Sequence, residues 1–290
     1  MLTIKVPAST SNLGCGFDSV GIAFNLYNTW TFEKSKAFEL FGFEESFKKN
    51  NLILLAYKYV FKSLNKEVIP VKITLFESMI PVSRGLGSSA SCIIAGVCAA
   101  NQMLDSILTY AECISIANEI EGHPDNISAS ALGGFVSSFV KNGEVRTVSY
   151  PVSEDLNFYV AIPNFSLSTE VARSAMPKKL PIEDVVHSLS RAIQLPYAFE
   201  KGDVKLIKDL LDDQIHEPYR YPLIKQALEI KDTYKDQDVA VSISGAGPSI
   251  LLISKYTIEQ MNFDSNKYKD WNLVALDVST QGTTMSFSQK

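Results

Sequence analysis

A segment rich in glycine and serine, PVSRGLGSSAS at residues 81–91, runs directly into an apolar stretch of helical character. Glycines allow backbone N–H groups to turn toward one point, and the start of a helix presents unpaired N–H groups with a partial positive charge. Both features suit a phosphate group, and the hydroxyls of Ser88 and Ser89 add ligands for phosphate or Mg²⁺. A serine-capped loop without a ligand explains the spacing equally well.

Three further segments carry polar side chains that suit a small-molecule site: PASTSNLGCGFDSVG at 7–21, EIEGHPDN at 119–126 and SGAGPS at 244–249. The carboxylates of the second segment are suitable ligands for Mg²⁺. Asx turns, a solvated helix end and a hairpin turn also explain these segments. Two roles are open to His123, contact with a substrate and a cap on the turn before Pro124, and we favour the turn. Each segment taken alone is therefore better explained as structural.

Two known phosphate-binding loops fit poorly to the residues around Gly85. A Walker A loop requires a lysine after its glycines, and none follows here. The residues from Gly85 to Ala90 do match the G-x-G-x-x-[GA] pattern of dinucleotide-binding folds, with Asp105 at a suitable distance. Such a fold needs a second strand before that aspartate, but residues 88–104 form one unbroken helical pattern. A nicotinamide-dependent dehydrogenase is therefore disfavoured.

Composition restricts the class of protein. The chain has 290 residues, 46% hydrophobic and 20% charged, which is enough for one large domain or two ordinary ones and excludes a disordered or fibrous protein. The net charge of -5, without a basic stripe, makes nucleic acid an unexpected partner. The first residues lack a signal-peptide pattern, and the apolar run from Cys92 is shorter than the about 20 residues that span a bilayer. Because the four cysteines form no C-x-x-C pair, we expect a cytoplasmic protein without disulfides, structural zinc or membrane contact.

The periodicity of apolar residues predicts the strands and helices that position these segments. These elements fall into two halves of the chain. Alternating apolar residues predict strands within 2–43 and a hairpin around Asn142 and Gly143. Helical periodicity and caps predict helices over residues 51–64, 88–104, 109–121, 181–201, 203–212 and 223–234. Three strands follow the last helix. We place a domain boundary near 151–155, which predicts an α+β protein with domains 1–153 and 154–290.

The motifs P-A-S-x-x-N-L-G-x-G-F-D, P-x-x-x-G-L-G-S-S-A and S-G-A-G-P-S occur in this order between Lys5 and about Val278. Together they resemble the three motifs of the GHMP kinase superfamily. The complete first motif with Phe17 and Asp18, and the segment EGHPDN, are similar to its homoserine kinase branch. The resemblance implies a ribosomal protein S5 domain 2-like N-terminal domain and a ferredoxin-like C-terminal domain. It also implies that ATP and an amino alcohol meet between them, and that the protein is a homodimer.

The resemblance also implies roles for individual residues. The glycine-serine loop would wrap the ATP phosphates through Pro81, Arg84, Gly85, Leu86, Gly87, Ser88, Ser89 and Ala90. The ligands of Mg²⁺ would be Ser89 and Glu119, with Glu121 as a nearby rival for the second position. The reacting hydroxyl would be oriented by Asn12, Asp18 and Asn126. The carboxylate end of the substrate would meet Arg173, Arg220 and Gly245.

The residue types agree with these implied roles. A guanidinium group binds a carboxylate through two parallel hydrogen bonds, which suits Arg173 and Arg220. Asn126 stands where other superfamily members have an aspartate, and an amide cannot accept the hydroxyl proton, so we expect transfer to depend on positioning. The expected activity is phosphorylation of the side-chain hydroxyl of L-homoserine by MgATP in threonine biosynthesis. Another kinase of this superfamily, of mevalonate type, and a binding protein without activity are the alternatives.

Overall fold

The computed structural model describes residues 1–288, which form two β-sheets with helices packed around them. The first sheet runs in the order β11-β1-β2-β4-β3, and β5 pairs with both β2 and β6. Its strands are β1 (Leu2–Ser11), β2 (Val20–Lys34), β3 (Glu39–Phe41), β4 (Val71–Ser78), β5 (Phe135–Lys141), β6 (Glu144–Tyr150) and β11 (Thr284–Phe287). All of its pairings are antiparallel except that of β3 with β4.

The second sheet is antiparallel throughout, in the order β10-β7-β9-β8. Its strands are β7 (Asn157–Pro163), β8 (Val239–Ile243), β9 (Ile250–Ser254) and β10 (Trp271–Leu276). The short apolar runs at β8 and β9 lack an alternating pattern because both faces of this sheet are covered, and every residue of the two strands is buried.

The helices of the first half are α1 (Glu45–Lys49), α2 (Leu52–Ser63), α3 (Ser88–Met103), α4 (Tyr110–Glu121) and α5 (Pro124–Leu132). Those of the second half are α6 (Thr169–Ser174), α7 (Ile182–Ala192), α8 (Leu195–Lys201), α9 (Val204–Leu210), α10 (Glu217–Arg220) and α11 (Ala227–Thr233). The capping box at Thr109 begins α4 as predicted. Within the described residues no helix combines the length and the apolar character needed to cross a membrane.

Three apolar cores hold the elements together. The first lies under the first sheet, where Trp30 and Phe32 pack against α2, α3 and α4. The second contains Phe24 and Phe135 from the first sheet together with Phe158 and Phe199 from the second half of the chain. The third covers the other face of the second sheet. Because the second core is built from both halves, it joins them through buried side chains.

The α+β, two-domain prediction is confirmed, but two details differ. The predicted helix over 181–201 is broken into α7 and α8. Pro196 explains the break, because a proline lacks an N–H group and its ring clashes with the carbonyl four residues earlier, here that of Ala192. The division at residue 153 stays a prediction, and β11 departs from it, since this late strand pairs with β1 of the first sheet.

Candidate active site

A cavity of about 650 Å³ lies where the ends of β1 and β8, the start of α3 and the helices α5, α6 and α10 meet. It brings together most of the residues singled out from the sequence. Those that line it are Asn12, Asp18, Arg84, Gly85, Gly87, Ser88, Ser89, Asn126, Arg173, Arg220 and Gly245. The four sequence segments with polar groups therefore form one site.

The loop before α3 requires glycine at two positions. Gly85 and Gly87 have φ values of 73° and 70°, in the left-handed region that favours glycine. A Cβ atom on Gly85 would lie 2.1 Å from the carbonyl oxygen of Ser244, and one on Gly87 would lie 2.1 Å from the Oγ of Ser9. The loop thus packs tightly against the other two motifs and places Ser88 and Ser89, at the start of α3, in the cavity lining.

Direct hydrogen bonds connect the three motifs. The hydroxyl of Ser244 donates to the carbonyl of Gly85 at 2.7 Å. The amide of Asn12 donates to the carbonyl of Gly245 at 2.7 Å, and its own oxygen accepts from the N–H of Asp18 at 3.0 Å. Asn12 therefore ties the first motif to the third and orients Asp18.

Four of the residues expected to bind the nucleotide have other contacts in the structure. Pro81, Leu86 and Ala90 are outside the cavity lining, and Arg84 lines the cavity but hydrogen-bonds to backbone carbonyls. Leu86 and Ala90 are buried in the second and first apolar cores. Pro81 begins the loop beside the lining. The guanidinium of Arg84 donates to the carbonyls of Pro163 and Asn164, each at 2.9 Å, which joins the loop to the end of β7. These four positions shape the loop, and the lining glycines and serines face the cavity.

Glu121, rather than Glu119, stands beside Ser89. The Ser89 hydroxyl donates to the carboxylate of Glu121 at 2.7 Å, and both residues line the cavity. Glu119 is exposed and accepts a hydrogen bond from the hydroxyl of Tyr59 at 3.0 Å. Burial raises the pKa of Glu121, a cost that a nearby cation would offset. The expectation that Glu119 faces Ser89 does not agree with this geometry.

The two arginines reach the cavity from α6 and α10. Arg173 forms two parallel hydrogen bonds with the carboxylate of Asp18, at 2.8 and 2.9 Å. Arg220 is only 1% exposed, and burial lowers its pKa to about 10. Its Nη1 donates to the carbonyl of Gly245 at 3.1 Å, while its Nε has no hydrogen-bond partner among residues 1–288. The Nε N–H of this guanidinium is therefore a buried donor without a partner, which a bound anion would satisfy.

Asn126 and its neighbours form the wall opposite the arginines. The amide of Asn126 is held between two serines of β1, accepting from Ser9 at 2.9 Å and donating to Ser11 at 2.8 Å. Next to it, Nδ1 of His123 lies 2.8 Å from the buried carboxylate of Asp125. Burial opposes the charges of both groups, but their contact raises the pKa of His123 and lowers that of Asp125.

Asp125 was missed as a lining residue, and for His123 the sequence favoured the turn over contact with a substrate. His123 does precede Pro124 at the start of α5, as the turn interpretation holds, but it also lines the cavity. The available signal was the spacing of the two residues, because a histidine and an aspartate two positions apart across a helix start can bond to each other. A possible cation site is formed by Asp18, His123 and Asp125, whose potential ligand atoms lie within 4.8 Å of one another. The carboxylate of Asp18, however, already forms an ion pair with Arg173.

Comparison with known proteins identifies the family. The sequence profile described as "GHMP kinases N terminal domain" matches residues 51–134. A homoserine kinase from Clostridium beijerinckii is 35% identical over 293 residues, which cover 98% of this chain and 98% of that protein. The crystal structure of homoserine kinase from Cytophaga hutchinsonii superposes with a TM-score of 0.82 at 25% identity, over 98% of this chain and 97% of the other.

A third similarity concerns the fold alone. Phosphomevalonate kinase from Streptococcus pneumoniae, solved in complex with phosphomevalonate and AMPPNP, superposes with a TM-score of 0.72 at 13% identity, over 96% of this chain and all of that one. The architecture is therefore shared across kinases with different acceptors, and the sequence relationship separates them. The chain belongs to the homoserine kinases of the GHMP kinase superfamily.

Proposed function

We propose that this protein transfers the γ-phosphoryl group of ATP to the side-chain hydroxyl of L-homoserine, giving ADP and O-phospho-L-homoserine. The observation that carries the proposal is the unpaired Nε of the buried Arg220, a residue that lines the same cavity as the glycine-serine loop. A carboxylate-bearing acceptor would pair with this guanidinium, and the loop would bind the phosphates of the donor. In the cell, the reaction would belong to threonine biosynthesis.

The donor side consists of the loop and the start of α3. The N–H groups there, at the positive end of a 16-residue helix, suit the ATP phosphates. We assign the Mg²⁺ ligands to Ser89 and Glu121, since a hydroxyl and a carboxylate oxygen 2.7 Å apart form a donor set that this cation prefers. A Mg²⁺ ion held by Ser89 and Glu121 would supply positive charge beside the transferring phosphoryl group.

The acceptor side consists of Asp18 and the two arginines. The carboxylate of L-homoserine would pair with Arg220 and Arg173, while its ammonium group would pair with Asp18. In the protein without ligands Arg173 and Asp18 pair with each other. Acceptor binding would therefore exchange one partly exposed ion pair for two, so neither Arg173 nor Asp18 would be left without a partner.

The reacting hydroxyl would be oriented rather than deprotonated in advance. The oxygen of Asn126 already accepts from Ser9, and an amide is no base. A loose phosphoryl-transfer transition state requires mainly alignment and charge stabilisation, so a late loss of the proton is sufficient. We expect Asn126→Asp to leave turnover unchanged or lower, and a large rise in turnover of this variant contradicts the proposal.

Two further parts of the proposal concern the whole protein. We propose a homodimer, supported by exposed apolar side chains at helical spacing along α7, those of Ile182, Val186 and Leu189. We also propose a cytoplasmic setting, supported by the four cysteines, which are all free thiols. Burial raises the pKa of Cys92 and of Cys15 to about 12, so both thiols are protonated and unreactive at neutral pH.

ADP release from MgATP tests the proposed reaction directly. The purified protein is assayed with L-homoserine, mevalonate, L-serine, L-threonine and no acceptor. We expect turnover with L-homoserine alone, and a loss of turnover in Arg220→Met, which removes the guanidinium at similar length. Equal turnover with mevalonate, or none with any acceptor, contradicts the proposed function.

A further inference from the structure

His216 is a fully buried histidine that no assigned role explains. It precedes α10, and its position is held by the buried carboxylate of Asp213, which accepts the N–H of His216 at 2.7 Å and that of Glu217 at 2.9 Å. The ring of His216 stacks on Phe17 of the first motif, with ring centroids 5.2 Å apart. The imidazole is therefore fixed between the first motif and the helix that carries Arg220.

The partners of the two ring nitrogens determine the tautomer. Nε2 lies 2.8 Å from the carbonyl oxygen of Gly14, which can only accept a hydrogen bond, so Nε2 carries the proton. Nδ1 of the neutral ring is then an acceptor, and it lies 3.3 Å from Nη1 of Arg220. The ring thus donates to the loop that contains Asp18 and accepts from the arginine.

The geometry of Arg220 follows from these contacts. Its Nη1 has two N–H groups, directed to Nδ1 of His216 and to the carbonyl of Gly245. Its Nη2 hydrogen-bonds to the sulfur of Met176, at 3.8 Å, and its Nε has no hydrogen-bond partner among residues 1–288. With Nη1 held on two sides, the Nε and Nη2 edge is the one that lacks an oxygen partner. A planar guanidinium must be rotated correctly for both donors of this edge to meet one carboxylate.

We propose that His216 is a positioning residue for the acceptor. As a neutral ring protonated on Nε2, it sets the rotation of the Arg220 guanidinium and ties it to the loop of Gly14 and Asp18. The inference rests on the proposed function, because it concerns recognition of the acceptor carboxylate. His216 touches no part of the reaction itself, and its contribution is the alignment of a charged hydrogen-bonding edge before the acceptor arrives.

The test compares kcat/KM for L-homoserine and KM for MgATP in wild-type protein, His216→Phe and His216→Asn. Phenylalanine keeps the stacking on Phe17 and removes both hydrogen bonds, whereas the asparagine oxygen can still accept from Arg220. We expect His216→Phe to lower kcat/KM for L-homoserine about 10- to 100-fold, the range of one charged hydrogen bond. We expect His216→Asn to recover part of this loss, and both variants to keep KM for MgATP within a factor of two.

A double-mutant cycle separates positioning from general stability. In an Arg220→Met background, His216→Phe should lower kcat/KM for L-homoserine no further, because the group it acts through is gone. His187→Phe, a change at a partly exposed histidine on α7, is the matched control and should change neither parameter. If His216→Phe does not fold, His216→Gln replaces it with the same expectation, since its amide reaches Gly14 but leaves Nη1 of Arg220 with Gly245 as its one remaining partner among residues 1–288.

Three outcomes overturn the inference. They are an unchanged kcat/KM in His216→Phe, an equal weakening of L-homoserine and MgATP, and a full additional loss in the Arg220→Met background. A wild-type protein that does not phosphorylate L-homoserine overturns the proposed function and this inference with it. An active wild-type protein with an unaffected His216→Phe variant overturns this inference alone, so the two failures are distinguishable.

Discussion

Glu119 and Glu121 lie two residues apart on α4, and helix geometry allows only one of them to face the cavity. Successive residues of an α-helix are rotated by about 100° around the helix axis, so two residues that are two positions apart lie on nearly opposite faces of the helix. Glu121 turns toward Ser89, and Glu119 turns toward Tyr59 at the surface. The two carboxylates have the same chemistry and differ only in direction, which provides a matched pair for a test.

Replacing Glu121 by glutamine should lower kcat about 100-fold and shift the Mg²⁺ dependence to higher concentration, because a charged ligand of the cation is lost. Glu119→Gln should leave both within a factor of two. Steady-state rates measured across a Mg²⁺ titration in the two variants and the wild type check this. A larger loss in Glu119→Gln than in Glu121→Gln contradicts the assignment of the metal ligand.

Glu217 shows how burial affects a residue outside the reacting groups. Its carboxylate is 1% exposed and accepts from the N–H of Ile243 at 2.6 Å, with Lys231 at 3.5 Å. Burial raises the pKa of Glu217 to about 7, against the opposing effect of Lys231. Between pH 4.5, the ordinary value, and pH 7 the folded protein retains a proton that the unfolded chain has released. This group therefore makes the protein less stable as the pH rises through that window.

Glu217→Gln removes this titration. As the pH rises, the free energy of unfolding of the variant should therefore increase relative to that of the wild type. We expect the difference between the two proteins to grow by about 2 kcal/mol from pH 5 to pH 8. Urea unfolding at several pH values measures it. A difference that is constant over this range, or that shrinks, shows that Glu217 keeps an ordinary pKa.

At this scale the sequence predicts residue types better than contacts. The arginines and the serines of the loop are recognisable because their chemistry is tied to short motifs. The contact of His216 with Gly14 joins residues 202 positions apart, and that of Ser89 with Glu121 depends on the rotation of a helix. Neither is encoded in local spacing, because both arise when separate elements pack.

Among the elements, the loop before α3 is the most constrained by packing. Gly87 combines a positive φ with a Cβ position that is already filled by Ser9. Gly143, in the hairpin between β5 and β6, also has a positive φ, of 82°, but a Cβ there would have no described neighbour within 4 Å. A side chain at Gly143 would therefore have only the conformational cost of a positive φ, whereas one at Gly87 would have the same cost and a steric clash in addition.

Gly143→Ala should lower the free energy of unfolding by about 1 kcal/mol, the cost of a left-handed alanine, without changing KM for MgATP. Gly87→Ala should cost more than this and raise KM for MgATP at least 10-fold, because Ser9 and the loop must move apart. Thermal unfolding and initial rates at varied MgATP measure both effects. An unchanged KM in Gly87→Ala would show that the loop does not contact the nucleotide.

Element prediction was accurate where one local signal dominates. The capping box of α4 and the Asn142–Gly143 turn are confirmed because their geometry depends on neighbouring residues. The break between α7 and α8 was missed, since Pro196 lies within an apolar pattern that continues across it. The pairing of β11 with β1 was also missed, because a strand partner 280 residues away leaves no mark in the local pattern.

For the whole molecule, the cavity needs both halves of the chain. The glycine-serine loop belongs to the first half, whereas α6 and α10 supply the arginines from the second. The second apolar core holds these parts together, with Phe135 and Phe199 at a ring-centroid distance of 4.9 Å. A site of this kind is complete within one chain, so association of two copies is not needed to build it.

One surface of the chain nevertheless favours association. On α7, Ile182, Val186 and Leu189 follow each other at helical spacing, and Ile193 continues the stripe just past the end of the helix. All four are more than half exposed, and Tyr197 extends the stripe onto α8. Such a stripe exposes on the order of 500 Å². Two copies would together bury about 1,000 Å², the lower limit of a specific interface. A two-fold axis would set Ile182 of one copy against Ile193 of the other, which is self-complementary.

We therefore expect the wild-type protein to sediment as a dimer and the double variant Leu189→Glu/Ile193→Glu to sediment as a monomer, because four carboxylates would face each other across the stripe. Ile107→Glu, an equally exposed apolar position outside α7, should leave the dimer intact. Since every residue of the candidate site comes from one chain, the monomeric variant should keep its kcat for L-homoserine. Sedimentation equilibrium measures the oligomeric state of each variant, and initial rates measure its kcat.

A dimer that persists in the double variant would place the interface on another surface. A monomer without activity would show that association supports the site.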